Sequence, residues 1–98
     1  MTVSVLLKGY LIQEARGGFT ALLAEKFTLT RSCGGFQTID LTYNVDDANN
    51  WVITEVWDSK EDYEKYLQVR QEDGTLEEVA SVCNGAPSVR IFDIVDTA

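Results

Sequence analysis

At 98 residues, 45% hydrophobic and 24% charged, the chain has the size and composition of one small globular domain spanning residues 1–98, and no apolar run approaches the roughly 18 residues of a membrane helix. Its formal charge of −8 argues against nucleic acid or an anionic membrane surface as partner, because no basic patch is present to displace phosphate counterions. Histidine is absent altogether, which removes Ser-His and Cys-His nucleophiles, imidazole general bases and the usual zinc, iron and haem ligation, so no metal centre is expected.

Residues 2–12, TVSVLLKGYLI, are β-branched and aliphatic and predict a strand buried on much of both faces. With no basic flank and no small-residue cleavage site before them, a strand is expected here rather than a signal peptide. QEARGG, residues 13–18, is a turn signal. Phe19, Leu22, Leu23 and Phe27 then fall on one face of a helix running to about Leu29, which SCGG ends. FQTIDLTYN, residues 36–44, alternates, with Ile39, Leu41 and Tyr43 on one face. VDDANN is expected to be the hairpin connection to an antiparallel strand over residues 51–57. On that strand Trp51, Ile53, Glu55 and Trp57 share one face.

Asp58 and Ser59 are both good N-caps, each followed three residues later by an acid, for a helix from Lys60 to about Gln71. Tyr63, Tyr66, Leu67 and Arg70 lie along its broad face. After the Asp73-Gly74 break, Leu76, Val79, Ala80 and Cys83 predict a second short helix with those positions facing inward. SVRIFDIV, residues 88–95, is the last strand. Cys33 and Cys83 have no CxxC spacing and are expected to be reduced thiols of a cytoplasmic protein.

The order β-α-β-β-α-(α)-β is that of an α+β, ferredoxin-like split βαβ fold, a four-stranded antiparallel sheet with helices on one face. One sheet face is then left bare, and a second copy of the chain in a two-fold homodimer is the economical cover.

Glu55-Val56-Trp57-Asp58-Ser59, followed by an amphipathic helix bearing Tyr66, resembles the E-x-W-x-S segment of the antibiotic biosynthesis monooxygenase family. CGGFQTIDLTYNVDDANNW upstream and Gly85-Ala86-Pro87 before the last strand are similar to other segments of that family, so the resemblance spans nearly the whole chain. It implies a dimeric α+β barrel with a pocket between sheet and helices in each subunit. It also implies a cofactor-free enzyme acting on a small aromatic ligand, although the family includes haem-degrading enzymes and proteins of no known activity. The first strand here offers Ser4, Lys8 and Tyr10 and no asparagine, and Arg70 stands where the haem-degrading branch has a histidine, so haem turnover is not expected.

Six residues are candidates for the site, and each has a plainer reading beside the chemical one. Trp57 walls the pocket or fills the core with its N–H satisfied. Glu55 is a desolvated carboxyl able to take a proton from a phenol, or a carboxylate paired with a cation or a backbone group. Arg70 holds an enolate or phenolate oxygen, or sits exposed near a helix C-terminus that favours cations. Tyr43, Tyr63 and Tyr66 donate hydrogen bonds to a substrate oxygen, or pack with wet hydroxyls. Three readings follow: a cofactor-independent monooxygenase of an electron-rich polyketide- or quinol-like ring, a non-redox isomerase, cyclase or binding protein using the same cavity, or a dimeric structural or regulatory module with no turnover.

Overall fold

Strand alternation builds the sheet. β2 (Phe36–Asn44) runs antiparallel to β3 (Asp47–Trp57), pairing Ile39 with Glu55, Leu41 with Ile53 and Tyr43 with Trp51, so their inward side chains stack in rows. β1 (Val3–Tyr10) pairs with β3 on one edge and with β4 (Ser88–Asp93) on the other, giving the all-antiparallel order β2-β3-β1-β4. α1 (Arg16–Thr30), α2 (Lys60–Glu72) and α3 (Thr75–Ser81) pack on the face carrying Val3, Val5, Ile39, Ile53 and both tryptophans. The computed structural model describes residues 1–98, and the ferredoxin-like α+β arrangement is present in full.

Several boundaries differ from the sequence-based expectation, each for a local reason. α1 begins three residues early, at Arg16, because the glycines at 17 and 18 are carried in its first turn once Phe19 is anchored in the core. The predicted six-residue hairpin contracts to the turn at Val45-Asp46, where the Asn44 side chain accepts the Asp46 N–H at 2.9 Å. The freed residues extend β3 back to Asp47, and Asn50 is held by its side chain to the Gly9 carbonyl at 3.1 Å. β1 is buried on its helix side and only half-buried at Ser4 and Leu6 on the other, so one face rather than both is sealed. α3 stops at Ser81 and leaves Ala80 exposed, while β4 ends at Asp93.

The core divides in two. Leu11, Phe19, Leu23, Phe27, Ile39, Trp51 and Ile53 form the larger cluster, and Val3, Val5, Trp57 and Tyr63 form the smaller. Each tryptophan removes on the order of 200 Å² from water, about 5 kcal/mol of transfer free energy. Trp51 is fully buried because Gly9, on the neighbouring strand, leaves room for its indole: a Cβ at Gly9 would lie 2.8 Å from Trp51 Cζ2. Gly9→Ala is expected to lower stability by about 1–3 kcal/mol through this overpacking. Urea unfolding should show a shifted midpoint with an unchanged slope.

Candidate functional site

A cavity of about 50 Å³ lies between the sheet and all three helices, at the seam between the two core clusters. Its position follows from β3, whose inward positions run Trp51, Ile53, Glu55, Trp57, so that a carboxyl occupies the seam where an aliphatic residue would have fused the clusters. Glu55 is 3% exposed, and its Oε1 accepts a hydrogen bond from Trp57 Nε1 at 3.0 Å. Burial pushes its pKa up to about 7, the Trp57 hydrogen bond opposing that rise. No cation pairs with it. A carboxyl of this kind exchanges a proton near neutrality.

α2 brings the second wall. Ser59 caps it, accepting the Asp62 N–H at 3.1 Å and donating to the Asp62 carboxylate at 2.9 Å, which sets the helix phase. Tyr63, Tyr66, Leu67 and Arg70 consequently face the cavity. Desolvation, then the charges of Glu55 and Tyr66, raises the Tyr63 pKa, so its phenol stays protonated as a donor. Tyr66 packs its ring 5.0 Å from Trp57, and its hydroxyl lies 2.7 Å from Thr30 Oγ1 at the end of α1.

Arg70 is 3% exposed, and all of its donors are engaged within the protein. Nε donates to the Tyr66 hydroxyl at 3.1 Å, Nη1 to Asp73 at 2.8 Å and Thr75 at 3.4 Å, and Nη2 to Thr30 Oγ1 at 3.3 Å and to the Lys26 carbonyl. A guanidinium has five N–H groups, so none is left for a ligand. Arg70 lines the cavity but ties α1, α2 and the start of α3 together.

Of the six residues singled out from the sequence, Glu55, Tyr63, Tyr66 and Arg70 meet around this one cavity. Trp57 stands behind it, fully buried among Phe36, Tyr63 and Tyr66, and reaches the cavity through Glu55. Tyr43 lies apart, on the open groove between α1 and β2, with the Arg16 guanidinium 4.1 Å from its ring centre and its hydroxyl 2.7 Å from Thr20. Two polar residues that the sequence reading passed over join the site, Thr30 and Thr75, both buried. Thr30 carried a readable signal: it continues the apolar stripe of Phe19, Leu23 and Phe27, a hydroxyl where the helix face is otherwise greasy.

Glu55 makes stability depend on pH. Its folded pKa lies above the ordinary value of 4.5, so the folded state binds the proton more tightly and loses stability as pH rises from about 4.5 through about 7. Glu55→Gln keeps an acceptor for Trp57 and removes the charge. The variant should unfold with little difference from wild type at pH 4 and be more stable by about 3 kcal/mol above pH 8. Urea unfolding across that range measures both arms.

The fold and the sequence have relatives that bear on this site. A family model described as antibiotic biosynthesis monooxygenase matches residues 3–71. No curated protein matches the chain by sequence. Among solved structures, Rv0793 from Mycobacterium tuberculosis superposes with a TM-score of 0.86 at 21% identity, covering 100% of this chain and 99% of the other. SnoaB, a cofactor-independent oxygenase from Streptomyces nogalater, gives 0.84 at 16% identity over 98% of this chain and 95% of its own. A conserved protein from Methanosarcina mazei Go1 gives 0.87 at 11% identity over 94% and 91%. Identities this low speak for the fold alone, while the family model spans most of the chain, including β3 and the α2 residues around the cavity. The chain therefore belongs to the antibiotic biosynthesis monooxygenase family.

Proposed function

We propose that the protein is a cofactor-independent monooxygenase of a small electron-rich ring, a hydroquinone, anthrone or similar phenol. The observation that carries this reading is Glu55, a buried carboxyl poised near neutral pH on an apolar cavity shared with two tyrosines. Such a site needs only to remove a proton, steady the resulting anion and keep water out, because the deprotonated ring is itself the reductant of O₂. Glu55 takes the proton, and Tyr63 and Tyr66 donate to the ring oxygen as its charge grows. One electron passes from the anion to O₂, the two radicals combine as a peroxide, and loss of water leaves a carbonyl. In an anthrone, or in the keto tautomer of a hydroquinone, one CH₂ group and one O₂ thus become C=O and H₂O, with no outside electron donor.

The cavity of about 50 Å³ has room for O₂ or a water molecule, whereas a benzene ring needs about 150 Å³. In this reading the ring enters by displacing α3, which supplies Thr75, Leu76 and Val79 to the wall. α3 has seven residues, follows Gly74 in the left-handed conformation (φ 83°), and is joined to α1 by a partly exposed Lys26–Glu78 ion pair at 3.4 Å. A surface pair of that sort contributes about 0–1 kcal/mol, so the cost of moving α3 lies instead in the Arg70–Thr75 hydrogen bond and the packing of Leu76 and Val79. The acidic chain favours a neutral substrate, since an anion is repelled at long range.

A homodimer belongs to the same reading. Phe92 and Ile94, on and just beyond β4, are exposed on the sheet face without helices, where Leu6, Val52 and Val56 are only half-buried. A second copy laid on that face covers this apolar surface. Sedimentation at micromolar concentration should give twice the chain mass, and Phe92→Asp should return it toward the monomer.

The central test is oxygen uptake with a panel of anthrones, hydroquinones and flavonols, measured above their autoxidation. Wild type should consume one O₂ per product, and Glu55→Gln should be slower by about 10²- to 10⁴-fold. Trp57→Phe removes the hydrogen bond that favours the Glu55 carboxylate, so its pH–rate profile should move to higher pH rather than simply fall. If substrate analogues bind and exchange a carbon-bound proton without any oxygen uptake, the same carboxyl is serving an isomerase or cyclase instead.

A further inference from the structure

The hydroxyls of Thr30 and Tyr66, 2.7 Å apart, share their neighbours in a way that fixes what each proton can do. Tyr66 Oη receives the Nε–H of Arg70 at 3.1 Å, and Thr30 Oγ1 receives an Nη2–H at 3.3 Å. Each oxygen keeps one proton of its own. Thr30 has two acceptors in reach: Tyr66 Oη at 2.7 Å, and the Lys26 carbonyl at 3.4 Å, which already accepts from Arg70. The shorter and less crowded choice is Tyr66. When Thr30 donates there, the Tyr66 oxygen holds two incoming hydrogen bonds, one of them from a cation, and its own proton has no protein acceptor.

We propose that Thr30 is a positioning residue that turns the Tyr66 O–H into the cavity, its own hydroxyl and Arg70 Nε jointly supporting the Tyr66 oxygen while that phenol donates to an anionic oxygen of the ring. This deepens the oxygenase reading and assigns Arg70 its part without contact with substrate. It also states what the substrate must carry: a phenol or enol oxygen able to accept from Tyr66. Thr30 is 0% exposed and sits on the far side of Tyr66, and it does not itself line the cavity. Burial raises the Tyr66 pKa while Thr30 and Arg70 lower it, in keeping with two donors that favour the phenolate. The other ionisable groups facing Tyr66 are Glu55 on β3, Lys26 on α1, Cys33 in the turn after it, and Asp62, Tyr63 and Lys65 on α2.

The test reads Tyr66 directly and needs neither substrate nor oxygen, so its failure is separable from failure of the oxygenase reading. The four tyrosines are replaced by 3-fluorotyrosine, the signal of position 66 is assigned with Tyr66→Phe, and its ionisation is followed by fluorine NMR. Thr30→Val, which swaps the hydroxyl for a methyl, should raise the Tyr66 midpoint by about one pH unit and leave Tyr63 in place. Thr30→Ser should bring it back close to wild type. A Tyr66 midpoint unmoved by Thr30→Val in a folded protein, or a rise that serine does not reverse, would overturn the assignment. Were the valine variant not to fold, Thr30→Cys is read in the same way, since a thiol donates too weakly to hold the wild-type value.

Discussion

The burial of one carboxyl with a single hydrogen-bond partner governs this structure. β3 must turn residues 51, 53, 55 and 57 inward, and three of the four are large and apolar. The fourth, Glu55, reaches the interior with only the Trp57 N–H to meet it. Its displacement to a pKa of about 7 corresponds to about 3 kcal/mol of disfavoured charge, a large share of the roughly 5–15 kcal/mol that holds a small domain together. An aliphatic residue in its place would join the two core clusters into one. Stability alone therefore opposes glutamate at this position, and the cavity beside it is the physical counterpart of that cost.

Arg70 plays the opposite part. It is as buried as Glu55, yet every one of its donors is used, on Tyr66, Thr30, Thr75, Asp73 and the Lys26 carbonyl. A buried guanidinium left with free donors would be costly, and one fully engaged is a rigid junction. It fixes the end of α1 against α2 and the first residue of α3, and so holds the hydroxyls of Tyr66 and Thr30 in one geometry. The cavity is thus asymmetric: a carboxyl that gains and loses a proton on the sheet side, and fixed hydrogen-bond donors on the helix side.

Element order, strand pairing and the inward face of β3 were legible because they rest on periodicity, which survives in a single sequence. The hairpin at Val45-Asp46 was misjudged because Asp and Asn residues read as loop, and here Asn44, Asp47 and Asn50 instead use their side chains to anchor strand ends. Glu55, Tyr63, Tyr66 and Arg70 were each nameable from spacing. What spacing leaves open is distance across the sheet: Tyr43 alternates in phase with Leu41 and Ile39, yet it sits at the far end of β2 beside Arg16. Thr30 was missed since a threonine in the last turn of a helix is ordinary, and its partners come from α2, 36 and 40 residues away in sequence.

The small volume of the cavity places a limit on how the site can work. Any ring that reacts there must first find the site open, and its apparent affinity is reduced by the fraction of molecules in that state. If the open form is about 1% of the total, the cost is about a hundredfold in binding. In the proposed reaction the ring would be enclosed once inside, and the apolar wall of Leu7, Leu23, Phe27 and Ile53 would keep the radical pair from water. Opening the site at α3 costs the contacts that hold that helix, the Arg70–Thr75 hydrogen bond and the packing of Leu76 and Val79 among them, while Arg70 keeps the donors in place through Tyr66 and Thr30. A single buried arginine thus both steadies the donors and adds to the cost of admitting a ring.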